Sequence, residues 1–528
     1  MSPRLAIPAL LALWGLLLAV ALWIRPLLPV DETRYVGVAW EMWLRGDFLV
    51  PYLNGDPYSH KPPLLFWLIQ AGWALFGVNE WWPRLVAPLV SLGVMALAVH
   101  LARLLWPEDR RAAELMPWLL FGGLLWTGFY TMVQFDLLLT GAVLLALIGL
   151  VHAWHGAARG WWWVGIGIGL GVLAKGPVVL LHVLPVALLA PWWARERRPE
   201  SWPRWYGGLL LALLLGAVIG LAWAWPAAIA GGAAYRDAIF FGQHAGRLGA
   251  DAPHAEPWWL YLALLPVMLA PWSLWPRVWQ GLGMLARDDR WRLCLAWAVP
   301  VVVLFSLVGG KQGKYLLPMF PALLMLAAHG LARWHGDGRV PERLWVPALL
   351  AVIGGVGLAL VHLKPTQVYW LPLVDGRWGW VLAALGLSLL VARVARLEHK
   401  VMLTAATSVA MYLALHLTAL RAMAPTFDMR PMSVALAEHQ AAGRPLATSL
   451  YYQGEFHFLG RLRAPLHEDQ DEGRLLAWAR RHPDGLVVLR EGAWRGDIPE
   501  ASLVQHHRSG ALVLVPAGRL EAYLENRP

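Results

Sequence analysis

The densest run of residues that could do chemistry is Asp31-Glu32-Thr33-Arg34-Tyr35, close to the amino terminus. A carboxylate such as Asp31 could act as a general base or help to hold a metal ion. Asp31 or Thr33 could instead cap the first turn of a short helix, since both residue types are favoured at that position. The run by itself leaves both interpretations open.

A second polar run, Tyr58-Ser59-His60-Lys61-Pro62-Pro63, favours the functional interpretation of the first. Its prolines fix a turn just before an apolar segment, and Lys61 there could hold the phosphate group of a lipid. The alternative is an interfacial lysine whose aliphatic stem covers apolar surface. His60, together with His254 much later in the chain, could bind a metal ion, although histidines in loops more often do not.

Further polar residues stand at the ends of apolar segments or in a long loop. In chain order they are Asp136, Lys175, Arg247, Lys314 and Tyr315. One cation at a helix end is commonly an ordinary loop residue. Several cations together with two carboxylates indicate an anion-binding site, in which fixed positive charge would stabilise a phosphate group.

The elements that must position these residues are membrane helices. Of the 528 residues, 58% are hydrophobic and only 15% are charged, whereas soluble domains carry about 25% charged residues. Lys and Arg exceed Asp and Glu by 44 − 34 = 10. Because these basic residues stand mostly at the ends of apolar runs, they indicate control of membrane topology rather than binding to nucleic acid.

Apolar runs separated by short charged clusters predict about thirteen membrane-spanning helices, each needing roughly 20 mostly apolar residues. The predicted spans are residues 5–28, 82–105, 115–130, 135–152, 161–172, 177–193, 206–229, 258–275, 293–308, 315–331, 344–363, 378–394 and 402–420. Alternate loops are rich in arginine. By the positive-inside rule these loops and the amino terminus are cytoplasmic, and the carboxyl terminus is outside.

Two of the outward loops are too long to be simple connectors. The first is predicted to carry short surface helices within residues 31–80, over 33–44 and 63–76. The second covers residues 231–257. Both loops belong to a predicted transmembrane domain of residues 1–420.

Beyond residue 420 the composition changes. Charge rises, and strand-like runs such as 485–490 and 511–516 alternate with helical stretches. Residues 421–528 are therefore predicted to form a small external α/β domain.

Few ionisable residues fall inside the predicted spans. A transport path through the membrane would need polar groups near the middle of the bilayer, so the pattern favours a site at the outer surface. A lipid-linked sugar flippase or other transporter is the alternative. A non-catalytic assembly protein would leave the outer acids and cations unexplained.

The run DETRY at residues 31–35, followed by a surface helix and by HKPP at residues 60–63, resembles the ArnT-like aminoarabinose transferases. These are lipid-carrier-dependent glycosyltransferases of the GT-C superfamily, related to the protein O-mannosyltransferases. The resemblance extends through the segment around Asp136, AKGPVVLL at 174–181, FGQHAGR and HAEPWW in the second long loop, and KQGKYLLPMFPALL at 311–324. It covers the whole membrane portion.

The resemblance implies an all-α polytopic membrane protein of the GT-C type, with about thirteen transmembrane helices and a small C-terminal periplasmic α/β domain. Such an enzyme sits in the bacterial inner membrane as a monomer. It moves a sugar from an undecaprenyl or other polyprenyl phosphate carrier to an acceptor at the periplasmic face. The acceptor would be lipid A or another surface glycolipid; a protein O-glycosyltransferase is the alternative within the same class.

The resemblance also implies roles for single residues. Asp31 would be the catalytic carboxylate, with Asp136 completing the polar wall. The residues for the donor and its phosphate would be Arg34, Tyr35, Lys61, Lys175, Arg247, Lys314 and Tyr315. His60 stands where the family pattern usually has Glu. This difference argues against a metal site at that position. No cofactor is required, although a divalent metal could bind through His60 and His254.

Overall fold

The computed structural model describes residues 3–242, 256–336, 338, 340–364, 368–492, 501–508 and 510–526, and helices dominate it. The α-helices span Pro3–Ile24, Asp31–Arg45, Leu64–Phe76, Trp81–Leu105, Arg110–Gly122, Leu124–Phe129, Asp136–Trp154, Gly160–Lys175, Val179–Leu188, Ala190–Trp193, Trp202–Ala230, Gly232–Asp237, Leu260–Met268, Pro276–Gly283, Asp289–Leu307, Phe320–His335, Trp345–Leu360, Arg377–Val391, Leu397–Leu415, Arg421–Phe427, Arg430–Ala441, His457–Gly460, Glu472–Arg481 and Leu520–Glu525. Tighter or wider helical turns cover Ala238–Gly242, Trp272–Leu274, Gly313–Met319, Val361–Leu363, Leu371–Leu373, His416–Leu420 and Ala517–Arg519.

Eight helices in the described part of the chain are long and apolar enough to cross a membrane. They are Ala6–Ile24, Trp81–Leu105, Asp136–Trp154, Trp202–Ala230, Asp289–Leu307, Gly313–His335, Trp345–Leu363 and Leu397–Ala441. The other predicted spans also overlap helical structure, but their helices are shorter or interrupted. The chain is therefore a helical multi-pass membrane protein, and the count of about thirteen crossings stays a prediction.

One of these interruptions, between helices Gly160–Lys175 and Val179–Leu188, has a local cause in the sequence. Gly176 adopts a φ of +82°, a left-handed conformation that favours glycine. The proline that follows has no amide hydrogen with which to continue the helix. The helix therefore ends at Lys175, and this side chain is fixed at a helix end.

Helices Asp136–Trp154 and Gly160–Lys175 pack closely as an antiparallel hairpin. Glycines let the two backbones approach: a Cβ added to Gly167 would meet the Ala146 nitrogen at 2.6 Å. Such small-residue contacts are common where membrane helices pack. Because the hairpin is antiparallel, its first and last residues lie at the same end.

Two shorter helices precede the second membrane helix, and both lie where surface helices were predicted. We call Asp31–Arg45 the first loop helix and Leu64–Phe76 the second loop helix. The first loop helix is buried along most of its length rather than laid open on a surface. It is covered by the C-terminal part of the chain, where the Trp40 indole Nε1 donates to the Leu462 carbonyl at 2.9 Å.

The C-terminal part contains a five-stranded sheet. Its strands, in spatial order, are His467–Glu468, Leu446–Thr448, Leu486–Glu491, Gly510–Pro516 and Leu503–His507. The first three are parallel and the last two pair antiparallel to their neighbours. Two-residue strands elsewhere pair as Tyr52–Leu53 with Asp56–Pro57 and Glu342–Arg343 with Arg393–Val394.

The helix Arg421–Phe427 continues the last membrane helix without a break, through the turn His416–Leu420. Within the stretch Leu397–Ala441, only Asp428 and Met429 interrupt the helical structure, and the helix Arg430–Ala441 follows them. The rise in charge at residue 421 thus begins before the chain leaves that helix. The division into domains of residues 1–420 and 421–528 stays a prediction.

Candidate functional site

Asp31 is the first residue of the first loop helix and does not cap it. The capping position belongs to Val30, and no side chain makes a capping hydrogen bond there. The Asp31 carboxylate accepts instead from Arg34 Nη2 at 2.5 Å, from the Tyr35 hydroxyl at 3.3 Å and from Lys314 Nζ at 3.0 Å. The capping interpretation is therefore wrong, and Asp31 lies at the centre of a charged network.

The network keeps Asp31 ionised. Burial alone would raise the pKa of this carboxyl, but the hydrogen bond and charge of Lys314, the charge of Arg34 and that of Lys61 outweigh burial and lower it below its ordinary value. The pKa of Tyr35 is raised well above its ordinary value, first by burial and then by the Asp31 charge. Tyr35 therefore remains a hydroxyl donor.

Arg34 connects this network to the C-terminal part of the chain. Its Nη1 donates to the Gln453 side-chain oxygen at 2.7 Å, and its guanidinium lies 5.4 Å from the centre of the Tyr35 ring. The first loop helix and the segment around Gly454 approach closely, since a Cβ added to Gly37 would meet the Gly454 carbonyl oxygen at 3.1 Å. Gln453 is not predicted as a site residue from the sequence, because nothing in its local sequence marks it.

Glu32, the neighbour of Asp31, has a structural role. It is buried and forms an ion pair with Arg25 at 2.6 Å, and it accepts from the Val133 amide at 2.7 Å. Arg25 also donates to the Thr131 carbonyl at 2.6 Å. These bonds fasten the start of the first loop helix to the segment that leads into Asp136.

The hairpin brings Asp136 and Lys175 together as a buried ion pair. The Lys175 ammonium also lies 4.6 Å from the centre of the Tyr315 ring, a cation–π contact. Tyr315 follows Lys314 in the turn Gly313–Met319, and Asp136 is close enough to act electrostatically on Lys314. The two carboxylates and their cations therefore form one continuous polar cluster.

Lys61 lies near this cluster, and His60 is the residue before it. Lys61 is partly exposed and contributes to the low pKa of Asp31, so the two residues lie on the same side of the bundle. His60 is exposed, and its ring lies 5.2 Å from that of Tyr58. Among the described residues, no group of three or more His, Cys, Asp or Glu side chains could hold a metal ion.

Arg247 and His254 fall outside the described residues, so their predicted roles stay predictions. Lys311, another cation of the 311–315 run, is used structurally. It is buried, and its ammonium donates to the carbonyls of Val308 at 2.6 Å and Glu256 at 2.7 Å. The run thus supplies one lysine to the loop framework and one, Lys314, to the polar cluster.

Comparisons with known proteins define the class. A family model described as dolichyl-phosphate-mannose-protein mannosyltransferase matches residues 60–223. The crystal structure of ArnT from Cupriavidus metallidurans bound to undecaprenyl phosphate matches with a TM-score of 0.74 and 20% identity over 98% of both chains. The apo form of that protein matches with a TM-score of 0.75 and 21% identity. The fold is thus that of ArnT.

Relatives by sequence narrow the class to a family. The undecaprenyl phosphate-alpha-4-amino-4-deoxy-L-arabinose arabinosyl transferase of Pseudomonas aeruginosa is 32% identical, over 74% of this chain and 72% of the relative. The corresponding transferase 1 of Pseudomonas fluorescens is 30% identical, over 93% of this chain and 86% of the relative. The chain belongs to this family of arabinosyl transferases and is a membrane glycosyltransferase.

Proposed function

We propose that the protein moves 4-amino-4-deoxy-L-arabinose from undecaprenyl phosphate to lipid A at the periplasmic face of the bacterial inner membrane. The observation that carries the proposal is the continuous cluster of Asp31, Lys314, Lys175 and Asp136 at one end of the helical bundle. The names of the relatives supply the donor carrier and the sugar.

The chief chemical requirement of the reaction is stabilisation of the charge on the leaving group. When the bond from sugar to carrier breaks, negative charge develops on the carrier phosphate, and fixed cations stabilise that charge. Lys314 and Lys175 are already oriented by their carboxylate partners. We assign the phosphate contacts to Lys61, Arg247 and Tyr315, with Arg34 and Tyr35 lining the same site.

Asp31 is suited to orient the acceptor and balance charge rather than to remove a proton. A general base works best with a pKa near the operating pH, whereas the pKa of Asp31 is lowered. A phosphate acceptor such as that of lipid A is already ionised and needs no base. The lowered pKa of Asp31 is consistent with this role.

The topology proposed for this function places the amino terminus in the cytoplasm and the carboxyl terminus in the periplasm, with about thirteen crossings. The cluster then lies at the outer boundary of the membrane, covered by the 421–528 domain. The undecaprenyl tail can lie among the apolar helices. The enzyme is proposed to act as a monomer.

The second candidate is a protein O-glycosyltransferase. The observation that favours it is the match of residues 60–223 to a protein mannosyltransferase family. Its acceptor would be a serine or threonine hydroxyl, which requires a base. Mass spectrometry of lipid A and of periplasmic proteins, from cells with and without the gene, separates the two. A gene-dependent mass increase on lipid A is expected; a gene-dependent increase on protein alone contradicts the proposal.

A further inference from the structure

A second cationic site lies beside the cluster and is used by none of the steps above. It is a cavity of about 410 Å³ between the end of the first membrane helix, the start of the helix Trp81–Leu105 and the segment 421–431. We call it the arginine pocket. Its charged lining residues are Arg25, Glu80, Arg84, Arg421, Asp428 and Arg430. Four cations against two carboxylates give the lining a net positive charge.

Two of these arginines carry unsatisfied donors. Arg25 and Arg84 are only 4% and 5% exposed, and the Nε atom of each is buried without a hydrogen-bond partner among the described residues. Their other nitrogens are held by backbone carbonyls and carboxylates: Arg84 Nη2, for example, donates to the Arg25 carbonyl at 2.5 Å. A buried donor without a partner is costly unless a ligand or water accepts from it.

The other two arginines stand at the mouth of the pocket. Arg430 pairs with Glu80 at 2.6 Å, while Arg421 forms no ion pair within the described ranges. The Arg421 guanidinium lies 5.8 Å from the ring of Trp23, which is 72% exposed. A tryptophan at the end of a membrane helix marks the interface between lipid and water. The pocket is thus reached from the level of lipid headgroups.

The arginine pocket is tied to the proposed catalytic site through one ion pair. Arg25, in the pocket wall, binds Glu32, and Glu32 is the chain neighbour of Asp31. The pocket wall and the proposed catalytic site are thus only one ion pair and one chain neighbour apart. Arginine forks match the geometry of phosphate groups, and the pocket's volume of about 410 Å³ lies in the range of small-molecule sites.

We propose that the arginine pocket binds a phosphate group of the lipid acceptor, separate from the phosphate that receives the sugar. That the bound lipid is the acceptor rests on the proposed function. Binding of a phosphate group in the pocket does not depend on it. The acceptor would be a glycolipid with two phosphates: one meets the sugar near Asp31, and the other is held by Arg421 and Arg430. A lipid with a single phosphate would have to leave one of the two places empty.

The test uses the full-length protein in detergent and the variant Arg421→Gln/Arg430→Gln. Arg463→Gln is the matched control, because Arg463 is an exposed arginine of the same C-terminal part and lies outside the pocket. Native mass spectrometry without donor measures retention of bisphosphorylated lipid A, monophosphorylated lipid A and phosphatidylglycerol. We expect the wild type and the control to prefer the bisphosphorylated form, and the double variant to lose about tenfold to a hundredfold of that preference.

Kinetics of transfer supply the second measurement. The double variant should show a raised KM for bisphosphorylated acceptor, with kcat and the KM for donor near those of the wild type. Equal preference in the wild type and the double variant overturns the inference, as does equal retention of phosphatidylglycerol, which would assign the pocket to bulk anionic lipid. If the wild type transfers to no acceptor, the proposed function fails, and the binding comparison still decides the pocket.

Discussion

At the scale of single residues, the two carboxylates of the cluster differ in exposure. The side chain of Asp31 is 45% exposed, whereas that of Asp136 is 3% exposed. An accessible carboxylate can meet a substrate. The buried one fixes the position of Lys175, whose ammonium also contacts Tyr315. Substitution of Asp31 should therefore affect sugar transfer directly. Asp136 acts through Lys175, the lysine that it holds in place.

The pH dependence of stability is the first prediction at this scale. The pKa of Asp31 is below its ordinary value of 3.8, so its ion pairs stabilise the fold above that value and are lost as the pH falls through the lower, folded-state pKa. Thermal unfolding of the wild type and of Asp31→Asn should differ at neutral pH and converge only under strongly acidic conditions. If the melting temperatures of the two proteins already converged near pH 6, the assigned ion pairs would be contradicted.

Lys61→Ala is the second prediction. If the ammonium stabilises charge on the carrier phosphate, its loss should cost about 2.7–4 kcal/mol at the transition state, a roughly hundredfold to thousandfold lower rate. The control is Lys364→Ala, an exposed lysine of a different loop. A lysine that only covers apolar surface would leave the rate almost unchanged. Equal rates for the two variants would remove Lys61 from the site.

At the scale of elements, the antiparallel hairpin of Asp136–Trp154 and Gly160–Lys175 explains why two residues far apart in sequence form an ion pair. The end of the second helix, just before Gly176, and the close glycine contacts set the position of Lys175. A buried ion pair between Arg25 and Glu32 likewise holds the first loop helix in place. Removal of one partner should lower the stability of the protein by about 3–5 kcal/mol. The local sequence thus sets where each helix ends, and the packing of the helices sets which partner each charged side chain meets.

The hairpin contact gives the third prediction. In Gly167→Ala the new Cβ would meet the Ala146 nitrogen at 2.6 Å, which should cost about 1–3 kcal/mol of stability. The matched control is Gly207→Ala, where a Cβ meets nothing within 4 Å. We expect a lower melting temperature and slower transfer for the first variant and neither for the second. Equal melting temperatures would show that the helices are not so closely packed.

The sequence predicted the helices better than it predicted the use of each charge. The hairpin and both loop helices follow from apolar segments, glycines and prolines. The run at 31–35 did not reveal that Glu32 faces Arg25 while Asp31 faces Lys314, because that depends on which side of one helix turn meets which neighbour. Lys311 and Lys314 are likewise three residues apart with different partners.

At the scale of the whole molecule, the C-terminal part closes over the cluster rather than hanging free. Arg34 binds Gln453, 419 residues away in sequence. No pattern around Gln453 could have predicted this contact, since it depends on how the sheet docks on the bundle. The contact implies that the C-terminal part and the cluster lie on the same side of the membrane.

Topology is the fourth prediction. Alkaline phosphatase fused to the carboxyl terminus should be active, because this enzyme requires the oxidising periplasm for its disulfides. A fluorescent protein that matures only in the cytoplasm should be dark in the same position. The reverse pattern would place the carboxyl terminus, and with it the cluster, on the cytoplasmic side.

The most direct test of sugar transfer uses purified protein, undecaprenyl phosphate carrying labelled 4-amino-4-deoxy-L-arabinose, and lipid A. We expect labelled lipid A and free undecaprenyl phosphate in equal amounts with the wild type. We expect neither product with Asp31→Asn, although this variant keeps the size of the side chain. Near-normal transfer by Asp31→Asn, or movement of intact donor across vesicles without release of undecaprenyl phosphate, would contradict the proposed function.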